Sequence, residues 1–489
     1  MALATQAHSG SQFESQPAGK FNQSFVWFLA VIAAMGGLLF GYDWVVIGGA
    51  KPFYEKYFGL TSSSEIGWAM SCALIGCLAG AIVSGGLSDR FGRKRLLMLS
   101  GVLFAGSSIG TGMAHSFDVF VLNRILGGVA IGLCSSLSPM YIAEIAPAAA
   151  RGRLVSVNQL TIVIGILLAQ VVNLWIAEPV PAGFTADQIR ASWNGQSGWR
   201  WMFAVTAIPS ILFFLLLMLA PETPRWLARK GQLQRTRRVL ERIGGAGYAD
   251  ATLAEITGSL GRAGEKLGLG PVFEPRMRAI LVLGIVLAVF QQWCGINVVF
   301  NYAEEIFSAA GYRVSDVLFN IVITGAANLV FTLVAIFTCD RLGRRKLMLI
   351  GSAGLAVIYT LIGFGYYRHT TGPVLLGLVL AAICFYACSL APVTWVLISE
   401  IFPNKIRGAA MSISVFALWA ACFTLTYTFP ALNAGLGSAG TFWIYAGICV
   451  AGFLFIKLRL PETRGKTLEQ IELQLLGPVP VQKGDENTR

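Results

Sequence analysis

Asp89-Arg90-Phe91-Gly92-Arg93 returns about 250 residues later as Asp340-Arg341-Leu342-Gly343-Arg344. Two further motifs repeat in the same order. Glu144-Ile145-Ala146-Pro147 with Arg151-Gly152 returns as Glu400-Ile401-Phe402-Pro403 with Arg407-Gly408, and Pro221-Glu222-Thr223 returns as Pro461-Glu462-Thr463. One short match arises by chance. Three in register point to a duplicated unit, and the apolar stretches between them place that unit in a membrane.

Composition carries the same reading. Hydrophobic residues make up 55% of the 489 and charged residues only 13%, too little charged surface for a soluble protein of this size. The net charge of +12 is spread through gaps between apolar stretches instead of forming one patch, which argues for lipid headgroups and against nucleic acid. The nine cysteines sit mostly in apolar runs and read as small buried hydrophobes, with no disulfide expected. His8, His115 and His369 lie far apart and no Cys/His cluster has metal-ligand spacing, so no metal and no cofactor are expected. Nor is there a nucleophile and base arrangement or a phosphate-cradling loop that would make the chain an enzyme.

Stretches long enough to cross about 30 Å of hydrocarbon fall near 25–50, 66–87, 95–115, 119–142, 153–176 and 200–220, then near 278–307, 315–338, 346–367, 373–400, 408–430 and 440–460. These define an N-terminal tail (1–24), a first six-helix half (25–220), a linker (221–277), a second half (278–460) and a C-terminal tail (461–489). The tail has no basic region ahead of a cleavable apolar segment, so the first span is expected to be retained. Lys and Arg crowd alternate loops, at Arg90, Arg93, Lys94, Arg95, Arg151, Arg153, Arg341, Arg344, Arg345, Lys346, Lys405 and Arg407. Positively charged loops stay in the cytoplasm, so both termini are expected there. The opposite loops hold scattered basic residues such as Lys51 and Arg190. In the linker, Leu233, Val239, Leu240 and Ile243 have amphipathic helical spacing, while the Gly-rich stretch from Gly244 to Gly270 suits a tether.

Arginine offers a fork of donors that caps helix C-termini and pairs with carboxylates. Glu144 and Glu400 are natural partners for Arg93, Arg344, Arg151 and Arg407, with Glu222 and Glu462 extending the set. Together they are expected to latch the two halves on the cytoplasmic side in the outward-open state. The alternative is simple positive-inside topology with solvated charges.

The chain resembles the sugar porters of the major facilitator superfamily from Gly36 to Glu469. The resemblance rests on Gly41-Tyr42-Asp43, the two Asp-Arg-x-Gly-Arg loops, Pro221-Glu222-Thr223-Pro224-Arg225, Gln291-Gln292-x-x-Gly295-Ile296-Asn297 and Pro461-Glu462-Thr463-Arg464-Gly465. It implies an all-α membrane protein with the major facilitator fold: twelve transmembrane helices in two pseudo-symmetric halves, a small helical cytoplasmic linker, and a monomer by family default. Loop lengths and lean termini suggest a bacterial cytoplasmic membrane.

Asp43 is the one acidic residue of the first predicted span, and a buried ionisable group there is a functional candidate because its charge is costly to bury. Arg124, near the start of the fourth span, is the expected partner. Proton-coupled family members, the bacterial D-xylose symporter among them, carry an Asp and an Arg at these positions, whereas facilitative glucose transporters of animals lack the Asp. Protonation would neutralise Asp43, release Arg124 and ease the change between outward and inward states. A permanently ionised structural pair is the competing reading.

A sugar presents hydroxyls and apolar C–H faces, so its site needs amides and an aromatic wall. The resemblance puts ligands at Gln159, Gln291, Gln292, Asn297, Asn328 and Trp395, with Tyr302, Phe290 and Trp419 as wall or gate residues. For these last three, packing is an equal alternative. Gly295 between the amides suggests a locally irregular helix. Ile166 matches the facilitative glucose transporters at a position where the xylose symporter has Gln, whereas Leu418, Asn301 and Ala391 depart from the family pattern. The expectation is a proton symporter for a hexose such as glucose or galactose, or for D-xylose. A facilitative uniporter, a polyol or inositol symporter, and a non-transporting sugar sensor remain as alternatives.

Overall fold

A computed structural model describes residues 21–147, 150–181, 183–262, 270–403, 406–464, 470 and 474. The tail 1–20, Lys405, Gly465 and Glu469 lie outside the described residues, as does the side chain of Arg407.

The first half is built from α1 (Gln23–Phe58), α2 (Ser63–Phe91), α3 (Arg93–Gly112), α4 (Phe117–Ile145), α5 (Arg151–Ile176), the short α6 (Ala186–Ala191), α7 (Trp199–Ala204) and α8 (Ala207–Leu219). The linker holds α9 (Pro224–Arg229) and α10 (Leu233–Arg262). The second half comprises α11 (Pro275–Trp293), α12 (Ile296–Asn301), α13 (Ala303–Ala309), α14 (Val314–Leu342), α15 (Arg344–Tyr367), α16 (Pro373–Cys388), α17 (Leu390–Glu400) and α18 (Arg407–Arg459).

Among the described residues, ten helical stretches are long and apolar enough to span a bilayer. Two physical details reconcile these with the twelve spans read from sequence. The 20 residues of α3 reach about 30 Å, but Arg93, Lys94 and Arg95 and several serines dilute its apolar character. The 53 residues of α18 would run to about 80 Å as one rod, far beyond a bilayer. Gly437 breaks it with φ 68°, a left-handed conformation that glycine adopts without a Cβ penalty, and so divides it into two spans. The outward faces stay apolar, as at Ile82, Ile208, Phe337 and Leu458, as expected of helices facing lipid chains.

Within the first half α1 packs along α5, and small residues set the distance. A Cβ on Gly41 would collide with the Ile162 carbonyl, and one on Gly165 with the Leu38 carbonyl. Two lateral contacts join the halves, α2 on α18 and α5 on α14, and α1 also touches α12, α13 and α14. Gly67 admits the Tyr427 carbonyl at the first of these contacts, beside a 2.9 Å Ser64–Tyr427 hydroxyl pair.

The linker is more helical than its glycines suggest. α10 continues to Arg262, with a single left-handed break at Gly245. Val239, Leu240 and Ile243 are buried as their spacing predicts, while Leu233 is exposed.

Candidate functional site

The duplicated motifs perform the same two tasks in each half. Gly92 and Gly343, at φ 98° and 91°, end one helix and start the next, leaving the first N–H groups of α3 and α15 without partners inside the helix. The Glu222 carboxylate accepts from the N–H groups of Arg93 at 3.0 Å and Lys94 at 3.1 Å, and Glu462 accepts from those of Arg344 at 3.0 Å and Arg345 at 3.2 Å. A Cβ on either glycine would strike that carboxylate. Each Pro-Glu-Thr segment is thus an anionic cap brought from a distant part of the chain, which complements the helix dipole. Burial nonetheless pushes the Glu222 carboxyl above the usual carboxylate range, against the lowering by its backbone donors and by Arg93.

The arginines of these motifs pair inside their own half. Arg93 donates to Glu144 at 3.0 Å and Arg344 to Glu400 at 3.2 Å, and Thr463 donates to the other Glu400 oxygen at 2.6 Å. Asp89 binds Arg229 of the linker at 2.7 Å. Arg151 is exposed and forms no ion pair among the described residues. Among the described residues, no ion pair of this set joins the two halves. Glu144 lies beside the arginine of its own repeat, and Glu222 and Glu462 are committed to backbone N–H groups.

The face opposite the termini is closed instead. Lys51, read from sequence as a loop residue, lies inside α1, which runs on to Phe58. It is buried against Glu55 of α1 and against Glu304 and Glu305 of α13. Among the described residues, ion pairs thus cross between the halves on this face and none does so on the terminal face. The burial of α5 follows the same gradient. Gln159, Ile166 and Asn173 share one helical stripe at seven-residue spacing, with Gln170 beside it, and exposure falls from half-buried Gln159 to fully buried Gln170 and Asn173.

At mid-depth Asp43 and Arg124 meet, each about 3% exposed. Arg124 donates from Nη1 to Asp43 Oδ1 at 2.8 Å and from Nη2 to the Asp43 carbonyl at 3.2 Å, with its guanidinium over the Phe203 ring. Asp43 Oδ2 is buried without a partner. Gly127 leaves the space beside that oxygen open, since a Cβ there would approach it to 3.4 Å. A cavity of about 10 Å³ beside Arg124 is lined by Trp44 of the first half and Asn301 of the second.

The amides of span seven come together across a break. Gly295 at φ 88° separates α11 from α12. Gln291 donates to Tyr386 Oη at 3.1 Å, Gln292 donates to the Gln291 amide oxygen at 2.6 Å, and Asn297 donates to Gln292. Asn328 is buried in α14, and Trp395 is half-buried in α17. Trp419 reaches across to the other half. Its ring lies 5.9 Å from Phe40 and 5.8 Å from Trp44 of α1, and its indole N–H is buried without a partner. Tyr302 is turned away from this set, donating to the Thr426 carbonyl at 2.7 Å and packing on Phe429. Phe290 packs against Gly452.

Sequence reasoning missed Gln170 and marked Asn301 only as a departure from the family pattern. Both are buried and carry unpartnered polar atoms: both amide atoms of Gln170, and Oδ1 of Asn301. Buried polar groups are ordinarily paired, so each such atom is a hydrogen-bond valence open to a hydroxyl-rich ligand. The stripe shared with Gln159 and Ile166 was the signal for Gln170.

Comparison with known proteins fits this geometry. Residues 29–475 match the family model described as "Sugar (and other) transporter". The chain belongs to the sugar transporter family. It is 39% identical to the arabinose-proton symporter of Bacillus subtilis, over 92% of this chain and 95% of that one. It is also 39% identical to the D-xylose-proton symporter of Escherichia coli, over 93% and 96% respectively. The structure of the E. coli xylose transporter XylE in a partially occluded inward-open conformation superposes with a TM-score of 0.80 at 38% identity, covering 91% of this chain and all of that one. XylE bound to 6-bromo-6-deoxy-D-glucose gives 0.77. This sugar transporter therefore has the major facilitator fold and is embedded in a membrane through its apolar helices.

Proposed function

We propose that this sugar transporter is a proton-coupled monosaccharide symporter, working by alternating access as a monomer in the bacterial cytoplasmic membrane with both termini in the cytoplasm. The observation that carries the reading is the buried Asp43–Arg124 pair, whose Asp43 Oδ2 is unpartnered. A carboxylate with an open lone pair, held by one guanidinium, can accept a proton and give up its partner. That changes which state of the transporter is favoured.

In this reading sugar binds between the halves. Gln291, Gln292, Asn297 and Asn328 supply amides from the second half, Gln159 and Ile166 line the first, and Trp395 and Trp419 offer aromatic faces. The relatives named for arabinose and D-xylose favour pentoses, while Ile166 favours a hexose-accepting wall. The Arg93–Glu144 and Arg344–Glu400 pairs, with Arg151, Glu222, Arg407 and Glu462, form the cytoplasmic charge set. Exchange of partners across the interface in the outward-open state would make it a latch.

The test is uptake of labelled D-xylose, arabinose and D-glucose into proteoliposomes. Accumulation of at least one above its outside concentration under an inward proton gradient supports the proposal. Fluxes that only equilibrate, with or without the gradient, leave a uniporter.

A further inference from the structure

The tie at the face opposite the termini has a charge balance that two halves in contact cannot easily hold. Lys51 Nζ lies 2.8 Å from Glu55 Oε1, 3.4 Å from Glu304 Oε2 and 2.5 Å from Glu305 Oε1, and Lys51 is only 2% exposed. Glu304 and Glu305 belong to the second half, so one ammonium from the first half gathers carboxylates from both.

The other titratable groups facing the cluster are Tyr54 and Lys56 of α1, Cys72 of α2 and Tyr302 ahead of α13, with Lys51 5.9 Å above the Tyr302 ring. Tyr54 donates to Met70 Sδ, and Lys56 is only half-buried. Lys51 and Glu55 are buried while the Glu304 and Glu305 side chains stay 20% and 24% exposed, and three ionised carboxylates around the one ammonium leave excess negative charge where like charges repel. Glu305 Oε2 is also buried without a hydrogen-bond partner, so an ionised oxygen there lacks any donor.

We propose that Lys51, Glu55, Glu304 and Glu305 form a second proton-binding site that gates the face opposite the termini. Closing the halves moves one proton from the adjoining solution onto a carboxylate of the set, with Glu305 as its principal holder. Opening hydrates the cluster, separates Lys51 from α13 and returns the proton to the same side. This proton is not carried across, so it leaves the proton-to-sugar ratio unchanged. External acid then favours closure of this gate. The inference rests on the alternating-access reading above.

The full-length protein in nanodiscs is examined by hydrogen exchange without sugar at about pH 5.5 and pH 8, with rates corrected for intrinsic chemistry. Peptides covering 45–58 and 296–309 are expected to exchange at least about fivefold more slowly at the lower pH. Glu305→Gln, which mimics the protonated carboxyl, should keep them protected at both pH values, and Lys51→Gln should leave them less protected at pH 8. Equal protection of the unmodified protein at both pH values, or an unchanged pH dependence in Glu305→Gln, overturns the proposal. A lowered proton-to-sugar ratio in Glu305→Gln proteoliposomes also overturns it, because Glu305 would then be a coupling site. If the unmodified protein accumulates no sugar, the symport reading fails, and the exchange data still decide the gate.

Discussion

Arg124 grips Asp43 twice, through the carboxylate at 2.8 Å and through the backbone carbonyl of the same residue at 3.2 Å. Only the first contact depends on the charge of Asp43. Protonation therefore weakens one anchor of the guanidinium and leaves the other, so Arg124 can reorient without leaving α1.

Arg124→Leu leaves a buried carboxylate with no counter-ion, a change that costs about 3–5 kcal/mol in buried pairs. Thermal unfolding in detergent should show a large fall in Tm for Arg124→Leu. Arg124→Lys, which keeps the charge but loses the two-pronged grip, should fold yet lose gradient-driven accumulation.

The chained amides of Gln291, Gln292 and Asn297 hold each other across the break at Gly295, so truncating one should loosen the sugar site more than the fold. For Gln291→Ala and Asn297→Ala we expect sugar affinity to fall about tenfold or more, equivalent to at least about 1.4 kcal/mol. Calorimetric titration of the purified variants measures this. Unchanged affinity in both would remove these residues from the site.

Much of this arrangement was legible in the sequence, because repeated motifs and apolar run lengths encode local tasks. The paired Asp-Arg-x-Gly-Arg and Pro-Glu-Thr segments announced the duplication, and Gly295 announced the irregular helix. What could not be read depended on choosing among eligible partners. Arg93 had several carboxylates open to it, and only the fold shows that Glu144 takes it and that Glu222 turns to backbone N–H groups instead. Lys51 and Glu305 lie some 250 residues apart, and nothing local to Lys51 distinguishes it from an ordinary loop lysine. α10 runs past Gly244 because Gly245 takes a left-handed turn that lets two helical pieces join.

Close approach of α1 to α5 depends on glycines rather than on attraction between large side chains. Gly41→Val and Gly165→Val should each prevent accumulation of folded protein, since the added atoms meet carbonyls of the neighbouring helix. Gly152→Ala, where a Cβ meets open space, is the control. Size-exclusion profiles of detergent extracts report the outcome.

Glu222 separates capping from charge. Glu222→Ala strands backbone donors of α3 and should cost about 1–3 kcal/mol, whereas Glu222→Gln keeps an acceptor oxygen and should cost less. Because burial raises its carboxyl in the folded state, the folded protein holds this proton to higher pH than the unfolded chain does. Its contribution to stability is therefore fully present below the unfolded value of about 4.3 and declines as pH rises through the raised folded value. Across that window Tm of the unmodified protein should fall relative to Glu222→Gln.

Whether Asp43 couples proton and sugar movement is decided by accumulation and equilibrium exchange of labelled sugar in proteoliposomes bearing the unmodified protein or Asp43→Asn. We expect accumulation under an inward proton gradient to disappear in Asp43→Asn while exchange of sugar across the membrane persists. Accumulation that survives in Asp43→Asn would contradict it.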